Sequence, residues 1–145
     1  MPAGIRLVVD TNIIVAALLS LTRSRSSLER EIFEWISSAD PVRPLLLVSD
    51  EILEEYHEVL GRPKFKEFRS DPQRIRVLLA GLVKMAIRMD PVTRVKLDRD
   101  ASDEKFLECA IEGHAKYLIT NNKKDYPDWA MIVDAREFLN LDRPH

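Results

Sequence analysis

The chain has 145 residues, 46% of them hydrophobic and 32% charged, with a net charge of −2 and a single cysteine, Cys109. That is enough for one domain with a real core, and it excludes a disordered, collagen-like or low-complexity chain as well as an internal disulfide or a cysteine-only zinc cage. The net charge excludes a uniformly basic nucleic-acid binder but leaves local patches open. No apolar run approaches the roughly 20 residues that span a bilayer, and residues 1–6 lack the pattern of a secretory signal. The expectation is a single soluble cytoplasmic domain over 1–145, in a reducing compartment.

Short apolar runs alternate with helical periods, which predicts an α/β fold with a mostly parallel sheet. Residues 5–9, a short β-branched run, read as the first strand. A helix follows over 11–20, with Ile13, Ile14, Ala17 and Leu18 on one stripe. Ser26 or Ser27 caps a second helix carrying Leu28, Ile32, Phe33, Trp35 and Ile36. Residues 45–48 read as the second strand. A helix runs from Asp50 to about Leu60 and ends near Gly61 and Pro63. Asp71 and Pro72 open another that runs to about Arg88. Residues 92–95 read as a short strand. A helix starts at Ser102 or Asp103 and ends near Gly113. Residues 116–120 and 131–133 read as strands, the latter followed by a short helix over 135–139.

Each apolar strand ends in polar residues: Asp10, Thr11 and Asn12; Ser49 and Asp50; Thr120, Asn121 and Asn122; Asp134. In a parallel sheet these ends share one edge, where ligands bind. Each residue alone also reads as a helix cap. Helical projection, at about 100° per residue, separates the acids of the 50–60 helix. Glu54 and Glu58 lie opposite the apolar face of Ile52, Leu53, Tyr56, Val59 and Leu60, whereas Glu55 lies at its border. In the helix from Asp103, the buried face is Phe106, Leu107, Ala110 and Ile111. Asp103 sits near its centre, while Glu104, Glu108 and Glu112 point progressively away. An inward carboxylate needs a hydrogen bond or a cation, and Asp103 reads equally as an N-cap or first-turn dipole partner.

The topology can bring Asp10, Glu55 and Asp103 to one sheet edge. Carboxylates converging there raise one another's pKa unless a cation intervenes. Oxygen-only ligands suit Mg²⁺ or Mn²⁺, whereas His57, His114, His145 and Cys109 show no zinc-ligand spacing. The four glycines are scattered singly, so there is no phosphate loop. Arg62, Lys64, Lys66, Arg69, Arg74 and Arg76 form a local basic patch interleaved with Phe65 and Phe68. It reads either as a solvated loop and helix start or as a contact for a phosphate backbone. An acidic metal centre beside a basic patch suits phosphodiester cleavage.

The run Val8-Val9-Asp10-Thr11-Asn12-Ile13-Ile14 resembles the opening motif of PIN-domain nucleases. Ser49-Asp50-Glu51-Ile52-Leu53-Glu54-Glu55-Tyr56, with Val59, Leu60 and Arg62-Pro63-Lys64-Phe65, resembles the second motif. Asp100-Ala101-Ser102-Asp103-Glu104-Lys105-Phe106-Leu107 resembles the third. Ala115-Lys116-Tyr117-Leu118-Ile119-Thr120-Asn121-Asn122, followed by Lys123-Lys124-Asp125-Tyr126, resembles the fourth. The match covers about 5–139, in order, and is closest to the branch similar to the VapC toxins of toxin–antitoxin pairs. The resemblance implies a three-layer α/β/α sandwich around a parallel sheet of four or five strands. It also implies a Mg²⁺- or Mn²⁺-dependent endoribonuclease leaving a 5′-phosphate and a 3′-hydroxyl. Asp10, Glu55 and Asp103 match the family's metal-binding acids, Asn12 the polar residue beside the first acid, and Thr120 a site hydroxyl. Where many members carry a fourth acid this chain has Asn122, and Asp125 substitutes if the loop turns back. Arg62, Lys64 and Lys66 are the RNA-contact candidates. The implied partners are RNA, a cognate antitoxin protein and a second copy of the chain, with no membrane. A weakly catalytic binding module and an RNA-processing nuclease acting through a protein partner are the competing readings. Haloacid-dehalogenase phosphatases require Asp where Asn12 stands, and receiver domains an acidic pair that Val9-Asp10 lacks.

Overall fold

The computed structural model describes residues 4–96 and 103–142. Its centre is β1 (Arg6–Val9), flanked by β2 (Leu45–Val48) and β4 (Tyr117–Ile119), with β3 (Ile87–Arg88) and β5 (Ile132–Val133) at the edges. The strands form a five-stranded sheet in the order β3-β2-β1-β4-β5, every pairing parallel. Leu7 pairs with Leu46 on one side and Tyr117 on the other, and Val9 pairs with Ile119. The chain winds outward from β1 through β2 to β3, then restarts on its other side with β4 and β5. The carboxyl ends of β1 and β4 therefore flank the point where the winding reverses, which is where open parallel sheets form their crevice.

The sheet is flanked by helices: α1 (Thr11–Thr22), α2 (Leu28–Ile36), α3 (Asp50–Leu60), α4 (Lys66–Ser70), α5 (Pro72–Lys84), α6 (Glu104–Glu112) and α7 (Ala135–Leu141). Several start on side-chain caps. Ser27 accepts from the Arg30 amide, Ser49 from Ile52 and Asp71 from Arg74, with Pro72 in the first turn. Asp134 and Glu137 form a reciprocal capping box. Leu7, Val8, Leu46, Leu47, Val48, Leu118 and Ile119 are shielded on both faces, as a parallel sheet with short apolar strands requires. The Tyr56 hydroxyl, buried beneath α3, donates to the Val9 carbonyl at 2.5 Å. Cys109 is a buried thiol that burial pushes up to about 12. No helix among the described residues is long and apolar enough to cross a membrane.

The third strand is not where the apolar pattern places it. Helix α5 stops at Lys84, and the strand is Ile87–Arg88, with Ile87 opposite Leu47 and Arg88 opposite Val48. Residues 92–95 form no strand, because carboxylates of α6 take their amides. Val92 and Thr93 donate to Glu112 Oε1 at 2.9 and 3.2 Å, and Val95 donates to Glu108 Oε2 at 2.9 Å. Glu108 is accordingly buried rather than solvent-facing, with Arg94 3.5 Å away. The bonds from Val92 and Thr93 hold the Glu112 carboxyl below its usual range.

Gly113 ends α6 with an ordinary backbone (φ −88°), so its lack of a side chain serves packing. A Cβ there would lie 2.4 Å from Leu47 Cδ1, itself locked in the sheet. Gly113→Ala is expected to cost about 1–3 kcal/mol through overpacking, read as a lower midpoint in urea unfolding at unchanged m-value.

Candidate active site

Asp10 ends β1 and is the N-cap of α1. Its amide donates to the Ile119 carbonyl at 2.9 Å, which locks it against β4. Its Oδ1 accepts from the Thr11 amide at 2.7 Å. Its Oδ2 accepts from Thr120 Oγ1 at 2.7 Å, the Tyr126 hydroxyl at 3.0 Å and Asn12 Nδ2 at 3.2 Å. The residue is only 6% exposed. Burial raises its carboxyl above the ordinary range; donation from Thr120, Tyr126 and Thr11 opposes the rise without cancelling it, and the Glu55 charge adds to it. The Tyr126 phenol is pushed up by burial, then by the charges of Asp10 and Asp103. It therefore stays protonated and acts as a donor.

The helical projection is realised at Glu55. Ile52, Tyr56 and Leu60 are buried and Glu54 and Glu58 exposed, while Glu55 is turned inward at the border. Its Oε2 accepts from Thr11 Oγ1, and Lys105 Nζ lies 2.8 Å from Oε1. Asp103 stands at the N-cap position of α6 in a helical conformation, and its side chain makes no capping hydrogen bond. It lines a hollow of about 440 Å³ whose wall also includes Asp10, Asn12, Asn122 and Asp125, together with Arg62, Lys64 and Phe65. Thr120 is fully buried behind that wall, accepting from the Asn122 amide at 3.0 Å. A single 3-10 turn over Lys123–Asp125 does turn the loop back, bringing Asp125 beside Asn122. Ser49 and Asp134, by contrast, serve as helix caps.

Not every candidate lines the hollow. Lys66 begins α4 and Glu55 lies behind Thr11, and neither belongs to the wall. Among the described residues no three His, Cys, Asp or Glu side chains come close enough together to share one ion. Glu55 is instead engaged by Thr11 and Lys105. Asp100, Ala101 and Ser102 of the third motif lie outside the described residues. That Thr11, Lys105 and Tyr126 are the partners of the acids is not legible in the sequence. Thr11 stands in the polar end of the first strand and Tyr126 at the end of the fourth motif, but nothing local shows which way a hydroxyl points. Lys105, two residues from Asp103, carried the clearer signal, as a cation among inward acids.

Residues 6–124 match the family model described as PIN domain. The chain belongs to the PIN-domain family. It is 26% identical over 141 residues to the "Uncharacterized protein MJ1680" of Methanocaldococcus jannaschii, covering 97% of this chain and 83% of that protein. Its fold resembles the crystal structure of PAE2754 from Pyrobaculum aerophilum, with a TM-score of 0.53 at 12% identity, over 95% of this chain and 88% of that one. PIN domains are a nuclease family; they generally use divalent metal ions and often bind RNA and protein partners.

In this PIN domain the raised Asp10 carboxyl has a consequence for stability. The folded state binds that proton more tightly than the unfolded chain. The group's contribution is thus fully present below its unfolded pKa and is lost as pH rises through the folded value. Asp10→Asn removes the buried charge, and the Thr120 and Tyr126 hydroxyls can turn to accept from the new amide. In EDTA at neutral pH the variant is expected to melt about 2–5 °C above the wild type. That advantage should shrink toward about pH 4, near the ordinary carboxyl pKa. A variant less stable than wild type at neutral pH would contradict the balance drawn here.

Proposed function

We propose that the chain is a metal-dependent endoribonuclease that hydrolyses RNA phosphodiester bonds. The observation that carries this reading is one hollow lined by Asp10, Asp103 and Asp125 together with Asn12, Asn122, Arg62 and Lys64, in a chain of a nuclease family. Every donor among these acids and amides is an oxygen, which suits a hard divalent cation such as Mg²⁺ or Mn²⁺. A cation would also offset the desolvation and the Glu55 charge that raise the Asp10 carboxyl. The donor chemistry therefore fits such an ion, with Asp10 and Asp103 in the wall as its holders and Glu55, set outside the wall and engaged by Thr11 and Lys105, joining them only on release from Lys105 or else orienting the attacking water. When bound, the ion supplies positive charge at a phosphate and lowers the pKa of water.

The remaining roles belong to the chain itself. Thr120 and Tyr126 aim the Asp10 carboxylate, and Thr11 orients Glu55. Asn12, Asn122 and Asp125 present polar groups to a phosphate or to its water. Arg62 and Lys64 attract the strand, with Arg62 steadied by Glu58 at 2.8 Å and Lys64 set 5.1 Å from the Phe65 ring centroid. Lys66, exposed at the start of α4, adds to the same basic segment.

The biological setting we propose is that of a toxin in a type II toxin–antitoxin pair, homodimeric and cytoplasmic, restrained by an antitoxin protein. It is supported by the resemblance of the motifs around Asp10, Glu55, Asp103 and Thr120 to VapC-like chains. Expression alone is expected to arrest growth, and co-expression of the product of an adjacent small gene to relieve the arrest. Growth unaffected by an active enzyme would favour an RNA-processing role.

Cleavage of a mixed RNA pool is expected with Mg²⁺ or Mn²⁺ and not in EDTA. Asp10→Asn and Asp103→Asn should each lower it by about 100-fold or more. Full activity in either variant would overturn the assignment. Asn122→Asp adds a carboxylate to the hollow and should lower the half-saturating Mg²⁺ concentration about threefold or more, as ligand charge tunes affinity. Lys105→Met leaves Glu55 without its 2.8 Å partner. It should tighten Mn²⁺ binding in calorimetry and lower the metal-free melting temperature by about 3 °C.

A further inference from the structure

Beside the acidic hollow lies a second one of about 740 Å³, and Asp125 forms part of both walls. Trp129 projects into it and is 41% exposed, whereas the chain's other tryptophan, Trp35, is buried against Phe138. The Trp129 indole stacks on no aromatic ring among the described residues. Its backbone is fixed: the Trp129 amide donates to the Pro127 carbonyl at 2.8 Å, and the Ile132 amide donates to the Trp129 carbonyl at 3.0 Å. Three residues upstream, the Tyr126 hydroxyl is tied to Asp10. A partly exposed aromatic surface is thus held on an anchored turn, in a hollow that shares Asp125 with the acidic one.

The charge around it indicates what it binds. Lys123 is paired with Glu137 at 2.7 Å, and Asp125 and Asp128 stand with Lys124 in the same wall. That wall has no excess of positive charge with which to attract a phosphate. It offers instead a flat apolar face with mixed donors and acceptors around it, which matches a neutral heterocycle. The cations suited to a phosphate backbone, Arg62 and Lys64, stand in the wall of the other hollow. A base stacked on an aromatic ring is the usual means of holding an unpaired strand without reading its sequence.

We propose that Trp129 is a base-stacking platform of the substrate site, holding an unpaired base of the RNA strand whose phosphate lies at Asp10 and Asp103. This inference rests on the nuclease reading. It places the strand across the acids, from Arg62 and Lys64 on one flank to Trp129 on the other.

The test uses the full chain carrying Asp10→Asn, so that RNA is bound without being cut. Titration with a short single-stranded RNA of mixed sequence is expected to quench tryptophan fluorescence, and the duplex of the same sequence is not. Trp129→Phe should abolish the quenching and keep most of the affinity. Trp129→Ala should weaken binding about tenfold, the equivalent of one lost stack, at unchanged melting temperature. An RNA with a single abasic position at the stacked nucleotide should show the same loss, and combining it with Trp129→Ala should cost no more. Tight RNA binding with no quenching and no effect of Trp129→Ala overturns the platform and leaves the nuclease reading standing. A change in sedimentation mass of Trp129→Ala at unchanged RNA affinity also overturns it, and makes the indole a contact between copies of the chain. If no variant binds RNA and the wild type cuts none, the nuclease reading falls and takes the platform with it.

Discussion

The buried carboxylate of Asp10 is the constraint on which the rest of the site depends. It stands where the winding of the sheet reverses, and its donors arrive from separate stretches of chain: the Thr11 amide and Asn12 from α1, Thr120 from the end of β4, and Tyr126 from the loop beyond. A carboxylate removed from water needs such partners, because an unsatisfied ion in the interior costs several kcal/mol. The requirement runs in both directions. The sheet holds Asp10 through its amide bond to Ile119, and Asp10 holds the loop after β4 through Tyr126. Burial still outweighs hydrogen bonding, so the carboxyl titrates high. The fold supplies a charge that is held in place and incompletely neutralised, a state that favours an added cation.

A second layer repeats this logic at lower cost. Glu55 is half-buried and has its own cation in Lys105, with Thr11 joining it to the segment that carries Asp10. The side chains of the pair are only 17% and 21% exposed, so screening by water is weaker than at the surface pairs Arg62–Glu58 and Lys123–Glu137. The acids at the strand ends are therefore not equivalent: Asp10 is held by neutral donors and Glu55 by a charge. Stability for this arrangement comes from elsewhere, chiefly from the sheet strands and the apolar faces of α1, α3 and α6 packed on them.

Much of this was legible in the sequence, and what was not has physical reasons. Residues 7–9, 46–48 and 117–119 of the central strands are buried on both faces and so read as unbroken apolar runs. Helical projection placed Glu55 at the border of its helix because α3 is regular and packed along one stripe. The same projection put Glu108 toward solvent, and there it failed. Glu108 is covered by residues 92–95, whose amides it and Glu112 accept, and no local pattern in α6 announces a segment laid across it from outside. The same long-range bonds remove 92–95 from the sheet despite their β-branched residues. The true edge strand, Ile87–Arg88, is two residues long with both side chains exposed, too short to carry a period. The roles of Thr11 and Tyr126 are not legible, because what a hydroxyl does depends on where a neighbouring element puts its acceptor.

On the proposed reading, the loop after β4 divides one task between Asn122 and Asp125. Thr120 Oγ1 donates to Asp10 and accepts from the Asn122 amide, so residue 122 is held within a few bonds of a carboxylate that is already under-neutralised. A further negative charge there would raise the Asp10 carboxyl again, as the Glu55 charge already does. The asparagine keeps an oxygen donor at that position without the charge. The 3-10 turn, closed by the Asp125 amide on the Asn122 carbonyl at 3.0 Å, carries the displaced carboxylate to the wall shared with the Trp129 hollow. On the proposed reading, the negative charge is moved away from the buried acid and toward the strand's exit. There it contributes to a wall in which Lys123 and Lys124 stand against Asp125, Asp128 and Glu137 and whose exposed group is a ring. Charge at the acids and stacking beside them are then consequences of a single loop conformation, pinned at one end by Thr120 and at the other by the Tyr126 hydroxyl.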